Sequence, residues 1–428
     1  MFFKYIDNYE KWNEFLNYKI FSLYSYRKEK RILEDFITNR KYLEICNLLK
    51  NNEYHFSVPE KVFVNKGNSS KKRTVYKFRD DEVIILKYIS YLLYDYDYLF
   101  SNNLYSFRKN TTMKDAIYKI KDLLKEKNMY AYKVDISNYF NSINTEKLLN
   151  KLKFDITDSN LYDVIYDLIG NNYVSYNEET LYESKGILPG CPISAFLANY
   201  YLKDLDNYFY ENNVNYFRYS DDIIIFSENK EDLYFYQKYI NNTLNELDLC
   251  INYEKEIFYD KNSSIDFLGF SFKNNSIDIS KNSILKAKAR IKRHTRFIRK
   301  NIENNKLSLE DGIKIAIKNI NKKFYGNKRE ELSWKYWFFP IITSTLGLND
   351  IDNYFQEELR YLSSGKHNKR NYKLVPYNML KKCGYKSLVH EYYLFKEKDK
   401  QLLWLFIFLH ETLYVIHYFS MNLYNLDL

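Results

Sequence analysis

Tyr216-Phe217-Arg218-Tyr219-Ser220-Asp221-Asp222-Ile223-Ile224-Ile225-Phe226 sets two adjacent carboxylates between two short apolar and aromatic runs. Such runs predict strands, so residues 215–226 predict a hairpin with the acids at its tip. Adjacent like charges fixed at a tight turn repel unless a cation joins them. Nucleotidyl transfer asks for that arrangement: two divalent ions about 3.5–4 Å apart, held by carboxylates arriving from separate strands. Taken alone the pair says little, since Asp80-Asp81 in the same chain lacks flanking strands and predicts a solvated turn. A third acid changes the weighting. Asp135 ends the apolar run Ala131-Tyr132-Lys133-Val134 and is followed by Ile136-Ser137-Asn138-Tyr139-Phe140. An Asp leaving a strand beside a hairpin that bears two more is the donor set the two-ion chemistry needs.

Outward from this centre the pattern is α+β. Residues 1–60 predict short amphipathic helices, and Lys61 to Arg79 alternates apolar and basic residues around a turn at Lys66-Gly67-Asn68-Ser69-Ser70. Helices are predicted over 82–100 and 113–127, then a strand over 130–136, then helices over 145–153 and 158–169 and a long one opening at Ser194. A helix over 229–247 and strands near 250–259 and 265–273 complete the mixed layer, and everything beyond 280 reads as helical.

The bulk numbers exclude several classes. The chain has 428 residues and is 46% hydrophobic, which rules out disorder throughout. The 46 Tyr and 30 Phe against 10 Gly and 5 Pro reflect biased composition before any chemistry. With 65 basic against 55 acidic residues the net charge is +10, the sign expected of a partner made of phosphates. Cys46, Cys191, Cys250 and Cys383 form no CxxC pair, so neither a zinc site nor a disulfide framework is expected and a reducing cytoplasm fits. The longest apolar run, Leu402 to Leu409, falls short of the ~20 residues of a membrane span, and the N-terminus has no secretory h-region.

Seven motifs in order then make a specific resemblance, to the bacterial reverse transcriptases over about residues 61–275. Asp135 to Phe140 resembles the first palm motif. Gly186-Ile187-Leu188-Pro189-Gly190-Cys191-Pro192-Ile193-Ser194, running into Ala195 to Leu202, resembles the second, and Tyr219 to Asp222 the third. Asn252-Tyr253-Glu254-Lys255 resembles the fourth, and Phe267-Leu268-Gly269-Phe270 the primer grip. Upstream, Lys72-Arg73 resembles the fingers residues that meet the triphosphate, and Leu104-Tyr105-Ser106-Phe107-Arg108 the family's stretch before the palm. The resemblance implies a right-hand polymerase: an N-terminal helical extension (1–60), fingers (61–130), a palm with a ferredoxin-like sheet (131–275), a thumb (276–345) and an all-helical C-terminal region (346–428).

It also implies roles. Asp135 and Asp221 would ligate two Mg²⁺ ions, with Mn²⁺ the alternative, Asp222 would support the site, and Ile136 would offer its backbone. Phe140, five residues after Asp135, would exclude a ribose 2′-hydroxyl, because a ring under the sugar leaves that group neither room nor partner. Gly186 and Gly190 would let backbone approach the nucleotide, and Ser194 would cap the following helix. Lys72, Arg73 and Lys255 would supply charge to the triphosphate. Pro189 stands where many members carry a nucleotide-contacting Gln, so nucleotide choice is expected to differ.

The subtype is read from absences. The maturase region of group II intron enzymes, the retron signatures and the Gln after the second-motif serine of diversity-generating enzymes are missing; Ala195 follows Ser194. What remains is the abortive-infection, defence-associated (unknown-group) type, to which Arg360 to Tyr372 and Gly384 to Tyr393 are similar. That type implies an antiphage enzyme copying a dedicated non-coding RNA template into DNA from dNTPs, away from membranes. A template-independent or protein-primed nucleotidyltransferase, and an RNA-binding scaffold with an idle site, are the other readings.

One further surface is legible without the resemblance. Lys286 to Lys300 carries eight Lys/Arg and no acid, with Ile284, Ala287, Ile291 and Ile298 on one stripe, so Arg290, Arg293 and Arg296 predict contacts with a phosphate backbone. Lys366, Lys369, Arg370 and Lys373 form a second such patch, suited to structured RNA. The apolar stretch Leu402 to Tyr424 predicts core packing, with a homo-oligomer contact as its other use.

Overall fold

The acid-bearing hairpin supplies an edge strand and the central strand beside it to a four-stranded antiparallel sheet. The computed structural model describes residues 2–22, 27–65, 72–184, 186–326, 333–399 and 401; the turn expected at 66–70 and the stretch 402–424 lie outside them. The chain divides into two compact units, Met1–Leu268 with Phe272–Asn275, and Gly269–Ser271 with Ser276–Leu428.

In the first unit the strands are β1 (Glu60–Asn65), β2 (Lys72–Lys77), β3 (Tyr130–Asp135), β4 (Tyr173–Tyr176), β5 (Glu179–Tyr182), β6 (Asn215–Tyr219), β7 (Asp222–Ser227) and β8 (Ile257–Tyr259). One sheet has the order β6-β7-β3-β8, all antiparallel, which for a β-α-β-β-α-β succession is the ferredoxin-like arrangement. The other has the order β2-β1-β4-β5. Its β4–β5 hairpin is absent from the sequence reading. Its turn residues Asn177 and Glu178 both have positive φ, 51° and 69°, yet lack the glycine that marks such a turn in sequence.

The helices of this unit are α1 (Tyr9–Ser22), α2 (Arg27–Thr38), α3 (Leu43–Lys50), α4 (Asp80–Leu92), α5 (Met113–Glu126), α6 (Tyr139–Ser142), α7 (Thr145–Asp155), α8 (Ser159–Gly170), α9 (Ser194–Tyr201), α10 (Lys203–Glu211) and α11 (Lys230–Glu246). The apolar spacing predicts most of them. In α8, Leu161, Val164, Ile165, Leu168 and Ile169 are buried at three-and-four spacing, and the Asp158 carboxylate caps the Leu161 N–H at 3.2 Å. Two expectations need correction. The helix drawn over 82–100 ends at Leu92 and tightens into a 3₁₀ turn, Leu93–Leu99. The long helix from Ser194 breaks at Leu202 into α9 and α10. Asp80-Asp81 opens α4, where acids meet the positive helix end, and Asp81 pairs with Arg79 at 2.8 Å.

Part of the aromatic excess goes into the core. Trp12 stacks on Tyr42 at 4.4 Å and on Tyr88 at 3.8 Å between ring centroids, joining the N-terminal helices to α4. β7 presents Ile223, Ile224, Ile225 and Phe226 fully buried, so both sheet faces are covered, and α11 packs on β3 and β7. The second unit is built on α12 (Lys281–Glu303), α13 (Leu309–Tyr325), α14 (Trp334–Trp337) and α15 (Leu346–Ser364). Ala287, Ile291 and Ile298 are buried on α12, along the predicted stripe.

Candidate active site

Register brings the three acids together. β3 pairs with β7 so that Asp135 lies directly opposite Asp222, and β6 pairs with β7 so that Tyr219 lies opposite Asp222. Opposite residues of an antiparallel pair share a face. The two-residue loop between β6 and β7 is Ser220-Asp221; Ser220 has φ 61° and Asp221 does not, the pattern of a type II′ turn. The Ile136 N–H donates to the Asp221 carbonyl at 3.1 Å, tying the end of β3 to the hairpin tip.

The electrostatics follow from this crowding. Asp221 is raised above the usual carboxylate value, by burial first and by the Asp135 charge next. Asp222 is raised as well, by burial first; Lys133 opposes the rise, and Asp221 and Asp135 add to it. Asp135 itself is engaged. Its Oδ2 accepts from Lys255 Nζ at 2.7 Å and its Oδ1 from Asn252 Nδ2 at 3.4 Å. Among the described residues no three acid, His or Cys side chains converge as an ion would require. The Lys255 ammonium sits on the Asp135 carboxylate. The donor set still fits such ions, since Asp135, Asp221 and Asp222 are oxygen ligands of the kind hard cations take, and Lys255, Lys133 and Arg73 offset their charge without cancelling the upward shifts of Asp221 and Asp222.

A buried network holds the hairpin in place. Arg218, fully buried, donates from Nε to Asp206 Oδ1 at 2.7 Å and from a second nitrogen to Asp206 Oδ2. A third nitrogen reaches the Ser220 carbonyl at 3.1 Å. Burial alone would lower the guanidinium, but Asp206 keeps it above its ordinary value. The Ser220 N–H donates to Ser106 Oγ at 2.9 Å, and the Asn199 amide donates to the Ser106 carbonyl at 2.8 Å. In the sequence Arg218, Ser106 and Asn199 stand only as flanks of motifs, and Asp206 carries no motif at all. The signal was a charged or amide side chain inside an otherwise apolar strand or helix, which must find a partner within the core.

The acids floor a cleft of about 830 Å³ that also gathers Lys72, Arg73, Phe140, Pro189, Gly190 and Lys255. Lys72 and Arg73 lie on β2, the wall facing the acids, and Arg73 lowers the Asp221 carboxyl slightly against burial. Phe140 is half-buried and meets the Tyr139 ring edge-on at 5.8 Å. Lys61 and Glu183, missed in the sequence, pair across the same cleft at 2.5 Å, and the Tyr76 hydroxyl donates to Glu183 at 3.2 Å.

Two readings of the glycine stretch change. Gly190 has φ +105°, and a Cβ there would lie 2.5 Å from Val75 Cγ1 and 2.9 Å from the Tyr76 carbonyl oxygen. A Cβ on Gly186 would lie 2.2 Å from the Phe140 carbonyl oxygen. Both glycines therefore admit other protein backbone. The Tyr76 N–H donates to the Pro189 carbonyl at 2.8 Å, fastening the loop to β2. Ser194 does not cap α9; its Oγ donates back to the Leu188 carbonyl at 2.8 Å and also to that of Ile187, locking the loop.

The remaining expected residues lie elsewhere. Phe267 is buried with Lys133 over its ring at 5.9 Å, and Leu268 and Gly269 have positive φ, 49° and 90°. None of the three lines the cleft. In the second unit Arg290 and Arg293 are exposed on α12, and Lys369 and Arg370 are exposed after α15. Arg296 instead packs over Tyr361, with 3.5 Å to the ring centroid, and lies 4.0 Å from Glu358. Lys288 pairs with Asp350 and Arg299 with Glu303, so the lack of acids along 286–300 is offset from α15 and from the end of α12 itself.

Residues 64–272 match the family model described as reverse transcriptase (RNA-dependent DNA polymerase). The chain carries a reverse transcriptase domain. Two curated yeast proteins resemble it in part: the putative COX1/OXI3 intron 2 protein of Saccharomyces cerevisiae, 32% identical over 123 residues, and the putative COX1/OXI3 intron 1 protein, 27% identical over 115 residues. The matches cover 28% and 26% of this chain and only 14% and 13% of those proteins. Among solved structures, a Candida albicans telomerase with an RNA fragment aligns over 81% of this chain and 67% of its own, at 13% identity and a TM-score of 0.43. A Candida tropicalis telomerase aligns over 57% and 60%, at 14% identity and a TM-score of 0.42. No helix among the described residues is long and apolar enough to cross a membrane.

Proposed function

We propose that the chain is an RNA-directed DNA polymerase that extends a 3′-hydroxyl with dNTPs, Asp135, Asp221 and Asp222 holding two divalent metal ions, Mg²⁺ or alternatively Mn²⁺. The carrying observation is the register of Asp135 against Asp222, with Asp221 at the adjoining turn, inside the matched domain and across a cleft from Lys72 and Arg73. The chemistry such ions supply is activation of the attacking hydroxyl and neutralisation of charge on the triphosphate. The residues of the chain do the rest. Arg218 and Ser106 fix the acidic turn, Arg73 and Lys72 face the phosphates, and Phe140 bounds the sugar. Lys255, now on Asp135, would move to the incoming triphosphate when the cleft fills.

Domain roles follow the same reading: fingers over 61–130, palm over 131–275 and thumb over 276–345. The biological setting we infer is cytoplasmic antiphage defence of the abortive-infection type, copying a dedicated non-coding RNA; it rests on the resemblance of Arg360 to Tyr372 and Gly384 to Tyr393 to that type. Primer extension tests the chemistry. Asp221→Ala and Asp222→Ala should abolish dNTP incorporation while the chain stays folded, and retained synthesis sinks the assignment. Phe140→Ala should raise ribonucleotide use about tenfold or more, the discrimination a shaped apolar contact gives. Sequencing the nucleic acid that co-purifies identifies template and product together. Phage protection intact in an Asp135→Ala strain would favour the scaffold reading instead.

A further inference from the structure

The second unit carries a groove to which the polymerase chemistry assigns no role. Arg290, Arg293, His294 and Phe297 on α12 and Asn319, Ile320 and Lys323 on α13 line an open groove of about 450 Å³. The α12 positions recur at three-and-four spacing, so they form one stripe along the helix. Two features do not suit a merely solvated face. The Phe297 ring is 65% exposed, although Ile320 beside it is buried. No acidic residue is among the described residues that line the groove, to which Arg290 and Lys323 bring positive charge. The polar edge is set too. Asn319 Nδ2 and His294 Nε2 lie 3.0 Å apart, and burial lowers the pKa of the His294 imidazole.

We propose that this groove binds an unpaired nucleotide of single-stranded RNA, the base stacked on Phe297 and the flanking phosphates held by Arg290 and Lys323. A basic helix that merely tracked a duplex backbone would need cations and no exposed ring. An aromatic face between cations is the device by which single strands are held, because every unstacked base has a π-face. The choice of RNA over DNA rests on the polymerase reading, under which the single strand that the chain must hold is the template.

The test uses the full-length chain carrying Asp221→Ala, with divalent ions chelated, so that no synthesis occurs. Binding of a fluorescein-labelled oligouridylate, the matching DNA and an RNA duplex is followed by anisotropy. Phe297→Ala should weaken binding of the single-stranded RNA about fivefold or more, with Phe297→Trp restoring it. Arg290→Gln combined with Lys323→Gln should reduce the slope of log K against log salt by roughly one. Unchanged binding in Phe297→Ala overturns the proposal, as does an equal loss for the duplex or equally tight, equally ring-dependent binding of DNA. A lowered melting temperature with RNA binding intact also overturns it, since the ring would then serve packing and not the ligand. Failure of the wild-type chain to extend a primer strikes the polymerase reading, whereas unchanged anisotropy strikes the groove alone.

Discussion

Arg218 and Asp206 form an ion pair with side chains 0% and 1% exposed, directly beneath the acidic turn. Removing one partner of such a pair strands a charge in the core, which costs about 3–5 kcal/mol, against about 0–1 kcal/mol for an exposed pair. Arg218→Met should therefore lower the unfolding free energy by about 3–5 kcal/mol in urea titration. Lys230→Met, which breaks the exposed pair with Asp260, should leave it nearly unchanged. Because Arg218 also holds the Ser220 carbonyl, the first variant should lose primer extension even where it is folded. Equal losses from the two variants would show that the pair does not anchor the turn.

The raised carboxyls Asp221 and Asp222 give a pH dependence of defined sign. A carboxyl whose folded value exceeds its unfolded value of 3.8 contributes stability below 3.8, and that contribution is lost as pH rises through the folded value. At neutral pH both acids work against folding in metal-free protein. Asp221→Asn should accordingly raise stability near pH 7, leave it unchanged near the unfolded value, and abolish incorporation. Mg²⁺ at a hundredfold excess over its dissociation constant should add about 2.7 kcal/mol, with a smaller gain as the acids protonate. Urea titrations across pH, with and without Mg²⁺, check both, and a larger Mg²⁺ effect in acid contradicts the site.

Lys255 holds Asp135 at 2.7 Å while half of its own side chain is exposed, so it can leave the acid for an anion in the cleft. Charge-assisted hydrogen bonds contribute about 1.5–3 kcal/mol, which corresponds to roughly tenfold or more in binding. Lys255→Met should raise the KM for dNTPs by that factor and let Mg²⁺ saturate the enzyme at lower concentration, because Asp135 is then uncovered. Steady-state kinetics over both ligands separate the effects. A normal KM with an unchanged metal requirement rules the role out.

How far these features were legible differs by residue, for physical reasons. Asp135, Asp221 and Asp222 could be placed because strand period and flanking apolar runs fix which face each residue takes, and β7 paired with β3 in the register that follows. Asp206 could not, because on a helical stretch with acids and aromatics it is one charge among several, and only the tertiary position of Arg218 makes it a partner. The β4–β5 hairpin escaped because Asn177-Glu178 lacks a glycine signal. The eight cations of 286–300 were visible as charge, but the acids that neutralise Lys288 and Arg296 come from α15, distant in sequence. Gly190 and Gly186 were recognised as close approaches, while what approaches them, β2 and α6 backbone, depends on packing that no local pattern encodes.

Gly190 supplies the last prediction, with Gly170 as its internal control. At Gly190 an added methyl meets Val75 at 2.5 Å and the Tyr76 carbonyl at 2.9 Å, in backbone with φ +105°. Left-handed backbone on an alanine costs about 1–3 kcal/mol by itself, and the contacts must push β2 away from the loop. Lys72 and Arg73 ride on that strand, so Gly190→Ala should misplace the phosphate-facing cations and cut dNTP incorporation more than its stability loss explains. At Gly170, the last residue of α8, the nearest atom lies 3.7 Å away and the backbone is unstrained. Gly170→Ala should therefore be neutral, or stabilise by about 0.4–1 kcal/mol through a less flexible unfolded chain, with full activity. Comparable activity in the two variants, measured at a temperature where both are folded, would mean that the loop does not set the position of β2.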